Sequence, residues 1–404
     1  MSSTPSPALP LSPLLTKKPQ QNQALASQTE PTQLEAQTDV AAVTAWLANY
    51  WEQPNTFAAY RKESERFMLW VSQVAQRNFA DLKHEDLLRY EQFLSDPQPA
   101  EHWQMPKGKK YGRGHPQWRP FTGPLSAASR SQSLRILNQL FEWLVKAEHL
   151  AHNPLALRAR RRRPASALTL STRILATKEL QVIRNYLMWS TTGQESSGTP
   201  YLARAMRDRW LFHLLFLTGM RISEVAENGM ASFYQDLQSS ETTPTWWLRI
   251  LGKGNKTRRI PVSSVLLSEL ALYRKVNGLP SLPVPSEPQP LIMSLDQYQR
   301  ALSRAALHQR IKYVFKRTAD YAQTHNLLPE DSLQRLNDAS AHWLRHSAGS
   351  HMVQDHVDLL HVRDTLGHAS IATTNLYLHS NDAQRHQRTS AHHQRWWDQD
   401  SSTS

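Results

Sequence analysis

Apolar residues recur at helical spacing over most of the chain after residue 38. The segment TFAAYRKESERFMLWV places Phe57, Tyr60, Phe67 and Val71 on one face, with Asn55 as the expected N-cap. The segments VAAVTAWLANYW, HEDLLRYEQFLS and SAASRSQSLRILNQLFEWLVKAEHL follow the same spacing. Together they predict a small all-helical domain over residues 38–155.

A second helical region begins at about Thr177 and is expected to extend to residue 380. TKELQVIRNYLMW gives one helix and RDRWLFHLLFLTG a more apolar one, for which Gly219 is the expected C-terminal cap. Strand-like composition on both sides of Gly252-Lys253-Gly254-Asn255 predicts a hairpin. Helices are expected again after the hairpin. The fold class predicted from the pattern is mainly α with a small β-sheet.

Three segments fall outside these two domains. Residues 1–37 are rich in Ser, Pro, Gln and Thr, and we expect them to form a disordered leader. Residues 156–176 form an arginine-rich linker, in which a contact with a phosphate backbone is favoured over simple solvation. Its arginines are Arg158, Arg160, Arg161, Arg162 and Arg163. Residues 381–404 form a C-terminal tail that carries Trp396 and Trp397.

A basic insert, residues 97–124, interrupts the helical domain. Its candidate DNA-binding residues are Lys107, Lys109, Lys110 and Arg113. Aromatic residues and glycines alternate with these cations, so the insert reads as a loop. Two interpretations are equally open, a contact with the DNA backbone and a solvated insertion.

Composition narrows the class of partner. Lys and Arg number 47 against 34 Asp and Glu, which gives a net charge of +13 and a pI near 9.9. A polyanion is therefore the expected partner, with nucleic acid ahead of acidic proteins and membrane surfaces. The chain has no cysteine, which excludes disulfides and cysteine metal sites and favours a reducing, cytoplasmic location. The chain has no apolar run of 18 residues, so the sequence predicts no membrane-spanning helix.

Six residues of the second region carry the candidate chemistry. They are Arg221, Lys253, His342, Arg345, His368 and Tyr377. This set supplies positive charge, two imidazoles and a phenol without a carboxylate pair, which suits phosphoryl transfer. The predicted N-cap Ser340 places His342 and Arg345 on one face of the first helical turns, where backbone N–H groups favour an anion.

Two competing interpretations of these segments are weaker. His342 and His346 have the i, i+4 spacing of metal ligands, but the glutamate of HExxH is missing and no acidic third ligand is near in sequence. The segment GKGNKT has glycines but lacks the spacing of a nucleotide-binding loop. We therefore expect neither a metal nor another cofactor.

These segments resemble the tyrosine recombinase (phage integrase) family, and most closely its Xer-like members. TGMRISEV is similar to the first arginine box, LGKGNKTRRIPV to the lysine hairpin, HWLRH to the His-x-x-Arg box, and LGHASIATTNLY to the box with the nucleophile. The order of the boxes and the nine-residue step from His368 to Tyr377 also agree. The boxes cover residues 177–380, and the helical domain resembles the family's SAM-like core-binding domain more weakly.

The resemblance implies a role for each residue. Tyr377 would attack a scissile DNA phosphate and form a 3′-phosphotyrosyl link, while Arg221 and Arg345 would stabilise the charge that develops. His368 would donate to the same oxygens and Lys253 would be the general acid. His342 would assist proton transfer, and Glu224 would support the site without reacting.

The same resemblance implies a C-shaped clamp of two domains around double-stranded DNA. It also implies dimers on a core site, a synaptic tetramer, and nucleoid association during the reaction. The predicted function is a site-specific recombinase or integrase that needs neither metal nor ATP. The alternatives are a type IB topoisomerase or telomere-resolving enzyme, and a non-catalytic DNA-binding protein of the same fold.

Overall fold

The computed structural model describes residues 34, 36, 38–158, 173–192, 199–236, 245–252, 256–368, 370–377 and 390. Nearly all of the predicted leader, the arginines at positions 160 to 163, Lys253, and Trp396 and Trp397 in the tail lie outside these residues. Contacts within the chain divide it between Arg162 and Arg163 into a first and a second unit. Of the described residues, none belongs to a helix long and apolar enough to cross a bilayer.

The first unit is helical. Its helices are α1 (Asp39–Ala48), α2 (Pro54–Trp70), α3 (His84–Ser95), α4 (Ala100–Trp103) and α5 (Ala127–Lys146). Their apolar faces meet in an aromatic core in which Phe67 contacts the rings of Trp70, Tyr90 and Phe141 edge-on or stacked. Large rings fill the space between the helices, so burial of these rings contributes strongly to the unit's stability.

The expected N-cap of α2 was wrong. The helix begins at Pro54 with Gln53 as N-cap, so Asn55 lies inside the first turn. Proline suits this position because the first N–H groups of a helix have no intrahelical acceptor, and the ring already fixes a helical φ.

The basic insert is partly built into the first unit. Its backbone pairs Gln104 with Phe121, and the Phe121 side chain is fully buried. Arg113 donates to Glu65 of α2 at 2.8 Å, and Arg119 donates to the carbonyl oxygen of Glu101 at 3.1 Å. The Arg113 contact joins the insert to α2, and the other two contacts order the insert internally, so its interpretation as a simple loop was too coarse.

The second unit combines helices with one small sheet. Its helices are α6 (Thr177–Thr191), α7 (Thr199–Thr218), α8 (Ile222–Glu227), α9 (Ser264–Val276), α10 (Arg304–Thr324), α11 (Glu330–Asp338), α12 (Ala341–Gln354), α13 (Leu359–Leu366) and α14 (Ile371–Thr374). A 3₁₀ turn, Asn375–Tyr377, follows α14. Helix α7 is packed against α6, α9 and α12, so the apolar pattern seen in its sequence is explained by a central position.

The sheet contains β1 (Phe233–Asp236), β2 (Thr245–Leu251) and β3 (Thr257–Val262) in antiparallel order β1-β2-β3. Phe233 pairs with Leu248 and Leu248 with Ile260, and all three side chains are buried. Strands β2 and β3 confirm the predicted hairpin on both sides of residues 253–255, which lie outside the described part. Strand β1 was not expected, because four residues give too short an alternation to recognise.

The expectation of helices throughout the region after the hairpin was wrong for one segment. No helix or strand is assigned between Asn277 and Ser303, all of which the structure describes. Pro280, Pro283, Pro285, Pro288 and Pro290 fall in this segment, and each removes a backbone donor and restricts the preceding residue. The prediction of a mainly helical protein with a small sheet is nevertheless confirmed.

Candidate active site

Arg221 lies directly after the turn that ends α7. Gly219 in this turn has φ +61°, and a Cβ at that position would lie 2.4 Å from Cδ2 of Leu366. Glycine is therefore required by the backbone conformation and by the close contact with α13. The turn makes Arg221 the N-cap residue of α8, and its side chain keeps 39 % of its surface exposed.

Glu224 is a buried acceptor for two arginines. It accepts from the backbone N–H and Nη1 of Arg221 at 2.8 and 2.9 Å, and from Nη1 and Nη2 of Arg258 at 2.8 Å each. Only 2 % of the residue is exposed. Burial raises the pKa of Glu224, but its hydrogen bonds and the charge of Arg258 outweigh burial and leave the pKa below its usual value. An ionised Glu224 therefore holds both arginines in place.

Arg258 of β3 was not among the predicted residues. Besides its forked pair with Glu224, it donates from Nε to the carbonyl oxygen of Thr365 at 3.0 Å. A Cβ on Gly367 would lie 2.7 Å from its Cδ. In the sequence, Arg258 is one of two adjacent arginines that follow the hairpin turn, and no local feature distinguishes it from a surface cation. In the structure it links the hairpin strand, α8 and the end of α13.

Arg345 of α12 is buried, with 3 % of its surface exposed. Its Nη1 donates to the carbonyl oxygen of Gly219 at 2.6 Å, and its Nη2 donates to that of Leu366. Burial first, and then the charge of Arg221, lowers the pKa of Arg345 to about 10, so it is still cationic at pH 7. A guanidinium has five N–H donors, so these two bonds fix its plane and leave others for an anion.

Tyr377 lies in the 3₁₀ turn after α14 and is 4 % exposed. Its hydroxyl oxygen is 3.2 Å from Nδ1 of His346, one turn beyond His342 on α12. The ring packs on Gly349, where a Cβ would lie 2.8 Å from Cε2 of Tyr377. Burial raises the pKa of Tyr377, and the charges of Arg345 and Arg221 oppose that rise.

His368 lies beside the tyrosine, with ring centroids 5.9 Å apart and planes inclined by 21°. Its Nδ1 is 2.9 Å from Oγ1 of Thr374. Burial, and then the charges of Arg345 and Arg221, lowers the pKa of His368 to about 4, so the ring is neutral at pH 7. A neutral ring that accepts from Thr374 at Nδ1 carries its proton at Nε2, which can then donate to a ligand.

His342 occupies the first turn of α12, with Ser340 as N-cap as expected, although the Ser340 side chain makes no capping bond. The His342 ring meets that of His346 edge-on at 4.2 Å between centroids. Burial, and then the charge of Arg345, lowers the pKa of His342. No group of three or more His, Asp or Glu side chains within the described residues is placed to hold a metal ion.

An open cavity of about 990 Å³ borders this cluster. Its lining includes Arg221 and His368, together with Gly252, Lys256 and Arg258 of the hairpin. Lys253 itself lies outside the described residues, so its predicted place is not observed. The cavity has the size and charge to admit an anionic group next to Arg221 and His368.

The predicted DNA-binding residues of the first unit have mixed surroundings. Lys107, Lys109 and Lys110 are exposed. Arg113 pairs with Glu65, and Arg158 pairs with Glu91 at 3.0 Å. The other linker arginines lie outside the described residues. Within the described residues of this unit, the three lysines are thus the predicted cations whose side chains make no hydrogen bond or ion pair to another protein group.

The arrangement can stabilise an oxyanion next to a phenol. Five of the predicted side chains, Arg221, His342, Arg345, His368 and Tyr377, come together with the supporting Glu224. Arginine forks and a neutral imidazole donor are suited to the non-bridging oxygens of a phosphate. Sequence reasoning missed Arg258 and assigned His346 only to a metal alternative.

Comparison with known proteins gives a consistent picture. A sequence profile described as "Phage integrase family" matches residues 199–384. Tyrosine recombinase XerC of Xylella fastidiosa strain 9a5c is 31 % identical over 256 residues, which are 63 % of this chain and 71 % of that protein. XerC of strain M23 of the same species is 29 % identical over 326 residues, 80 % of this chain and 86 % of that protein.

Solved structures share the fold at lower identity. XerH site-specific recombinase bound to its difH substrate superposes with a TM-score of 0.51 at 20 % identity, covering 83 % of this chain and 79 % of that one. The Tn1549 transposon integrase in complex with transposon right end DNA superposes with a TM-score of 0.52 at 14 % identity, covering 87 % and 98 %. At these identities the likeness is one of fold.

Proposed function

Because the chain belongs to the phage integrase family of tyrosine recombinases, we propose that it is a site-specific DNA recombinase that cuts and rejoins DNA through a phosphotyrosyl intermediate. The observation that carries this proposal is the position of Tyr377, whose hydroxyl lies within a cluster of arginines and imidazoles. The Tn1549 integrase is described as in complex with transposon right end DNA and XerH as bound to difH substrate, and we extend a DNA substrate to this chain.

In the proposed reaction the Tyr377 oxygen attacks a DNA phosphorus and displaces the 5′-oxygen of the next nucleotide. Arg221 and Arg345 donate to the two non-bridging oxygens, whose negative charge is greatest in the transition state. Preorganised donors of this kind lower a barrier more than they strengthen ground-state binding. His368 donates from Nε2 to the same oxygens.

We assign Lys253 as the general acid that protonates the leaving 5′-oxygen. Its neighbours Gly252 and Lys256 line the cavity that Arg221 also lines, which supports this role. The phosphotyrosyl bond retains the free energy of the phosphodiester that it replaces. Attack by a 5′-hydroxyl can therefore rejoin a strand without ATP, and the donors of the site are protein groups rather than a metal.

The test is covalent trapping on a nicked duplex that contains the DNA site of the element encoding the chain. Wild-type protein should form an adduct that survives denaturation, and Tyr377→Phe should form none. Tyr298→Phe, which changes an exposed tyrosine, is the matched control and should react as the wild type does. Equal trapping by wild type and Tyr377→Phe would remove the proposal.

Two other functions use the same fold. A type IB topoisomerase or telomere-resolving enzyme would share the cleavage residues, and sequence-independent relaxation of a supercoiled plasmid without strand exchange would favour it. A non-catalytic DNA-binding protein would bind its site tightly without any adduct. The buried and hydrogen-bonded Tyr377 argues for a reacting protein, because an unused phenol has no need of this charged surrounding.

We also propose that the basic insert contacts the DNA backbone. Arg113 attaches the insert to α2 and Arg119 bonds within the insert, while Lys107, Lys109 and Lys110 stay exposed on it. Cations held on an ordered segment lose less conformational entropy on binding phosphate than cations on a flexible one.

A triple Lys107→Ala, Lys109→Ala, Lys110→Ala variant tests this contact. If all three meet phosphates, the slope of log affinity against log salt should become shallower by about 3. Lys146→Ala, in the same unit but outside the insert, serves as the control. An unchanged salt dependence would make the insert a solvated feature.

Assembly and location complete the proposal. We propose that two molecules bind a core site and that four form the synapse, as the resemblance implies. The protein would act in the cytoplasm, at the nucleoid while bound to DNA. Sedimentation of the protein with and without its site tests the dimer, because a monomeric complex at saturation would contradict it.

A further inference from the structure

His346 contacts the reacting atom of the proposed nucleophile, although the set of expected catalytic residues did not include it. Its Nδ1 is 3.2 Å from the Tyr377 hydroxyl oxygen. Both groups belong to ordered elements, since His346 lies in the middle of α12 and the tyrosine ring rests on Gly349 of the same helix. The pair is therefore held by the fold and does not depend on a flexible side chain.

The imidazole is in a state that can accept a proton. Burial first, and then the charges of His342 and Arg345, lowers the pKa of His346 to about 4. Arg173, before α6, and His368, after α13, act in the same direction. A neutral ring at pH 7 has one unprotonated nitrogen, and with the proton at Nε2 the tyrosine hydroxyl donates to Nδ1.

We propose that His346 is a catalytic residue of strand cleavage, which accepts the phenol proton as Tyr377 attacks the phosphate. This inference rests on the proposed recombinase function. The O–H bond of Tyr377 breaks while an N–H bond forms at Nδ1, and the new P–O bond forms as the bond to the 5′-oxygen breaks. The 5′-oxygen takes its proton from the general acid assigned to Lys253. Rejoining returns the proton from Nδ1 to the phenol.

The other two imidazoles of the site are placed less well for this step. His368 stacks nearly parallel to the tyrosine ring and has its Nδ1 at Thr374. His342 contacts the ring of His346. Among the described residues, His346 is the imidazole with a recorded hydrogen bond to the hydroxyl. Its distance is within the range expected for a general base in an unliganded site.

DNA binding would strengthen His346 as a base. Burial is the largest cause of its low pKa, but the charges of Arg345 and Arg173 add to it in the free protein, and an anionic phosphate bound in the site offsets those charges. The basicity of Nδ1 thus rises when the substrate arrives, while the free protein avoids a charged imidazolium beside Arg345. A general base of this kind contributes about 10²-fold to 10⁴-fold to a rate.

The experiment is single-turnover cleavage of the nicked duplex by full-length protein between pH 4 and 8. His346→Asn keeps an acceptor near the place of Nδ1 but cannot take up a proton, and His346→Gln provides a second variant if the first folds poorly. Exposed His308→Asn on α10 is the matched control. For His346→Asn we expect the cleavage rate to fall by about 10²-fold or more. We expect DNA affinity to stay unchanged and the pH profile to lose the acid limb that the wild type shows.

A duplex with sulfur in place of the scissile 5′-oxygen separates the two proton transfers, because a thiolate leaves without a general acid. Lys253→Ala should recover on this duplex and His346→Asn should not. Wild-type rates for both His346 variants, or recovery of His346→Asn by sulfur, would overturn the inference and leave the recombinase intact. A wild type that forms no adduct would instead overturn the proposed function.

Discussion

Gly349→Ala perturbs the nucleophile through a single methyl group on α12. The added Cβ would lie 2.8 Å from Cε2 and 2.9 Å from Cζ of Tyr377, and 3.0 Å from Cδ1 of Leu366. Ordinary contacts begin near 3.4 Å, so the ring must retreat by about 0.6 Å, the difference between 3.4 and 2.8. Tyr377 is almost fully buried and has little room for this movement.

The expected magnitudes separate stability from activity. Alanine is favoured over glycine inside a helix by about 0.5 to 1 kcal/mol, while overpacking costs about 1 to 3 kcal/mol. The net loss of unfolding free energy should therefore lie between about 0 and 2.5 kcal/mol. A misplacement of about 1 Å can cost about 10²-fold in rate, so we expect cleavage by Gly349→Ala to fall by about 10-fold to 10²-fold.

The assay measures adduct formation under single turnover, DNA affinity and thermal unfolding on the same preparations. Gly112→Ala, at a glycine with nothing within 4 Å of an added Cβ, is the matched control for cleavage at saturating DNA and for thermal unfolding. Slow cleavage with near-normal affinity is the expected result for Gly349→Ala. Wild-type cleavage by this variant would refute the reasoning, because it would mean that the tyrosine leaves its place on α12 before it attacks.

Three further predictions concern the charges around the tyrosine. Arg258→Lys should slow cleavage by about 10-fold or more, because an ammonium cannot reproduce the two parallel bonds to Glu224; wild-type rates on the nicked duplex would contradict this. Arg345→Ala should abolish cleavage while binding in a gel-shift assay changes far less; equal losses would make it a plain backbone contact. The pKa values of His346 and His368 are lowered to about 4 in the folded protein. Below about pH 6.5 the unfolded chain therefore binds more protons than the folded one. The melting temperature should fall as pH drops from 6.5 toward 4. His346→Asn should weaken that dependence, and an equally steep fall in the variant would show that other groups cause it.

The sequence determined which residues bear the chemistry and where each lies along the chain. Gly219 and Gly367 end their helices in the left-handed conformation, and Ser370 caps the next helix through its side chain. These features depend on residues within a few positions of one another, so spacing alone predicts them. The boxes that carry Arg221 and Tyr377 could be recognised for the same reason.

Partners distant in sequence could not be predicted in this way. The bond from Arg258 to Glu224 spans 34 positions, and the contact of His346 with Tyr377 spans 31. Neither residue differs in its local sequence from an ordinary surface cation or helical histidine. The structured part of the basic insert was missed similarly, because the partner of Arg113 is Glu65 on another element.

Protonation is the property that only the tertiary structure decided. The sequence contains histidines with an ordinary pKa near 6.5, whereas desolvation and converging arginine charges leave His346 and His368 neutral at pH 7. The amino acid at each position determines which reactive group is present there. Its charge depends on how much water and how many other charges the folded chain leaves around it.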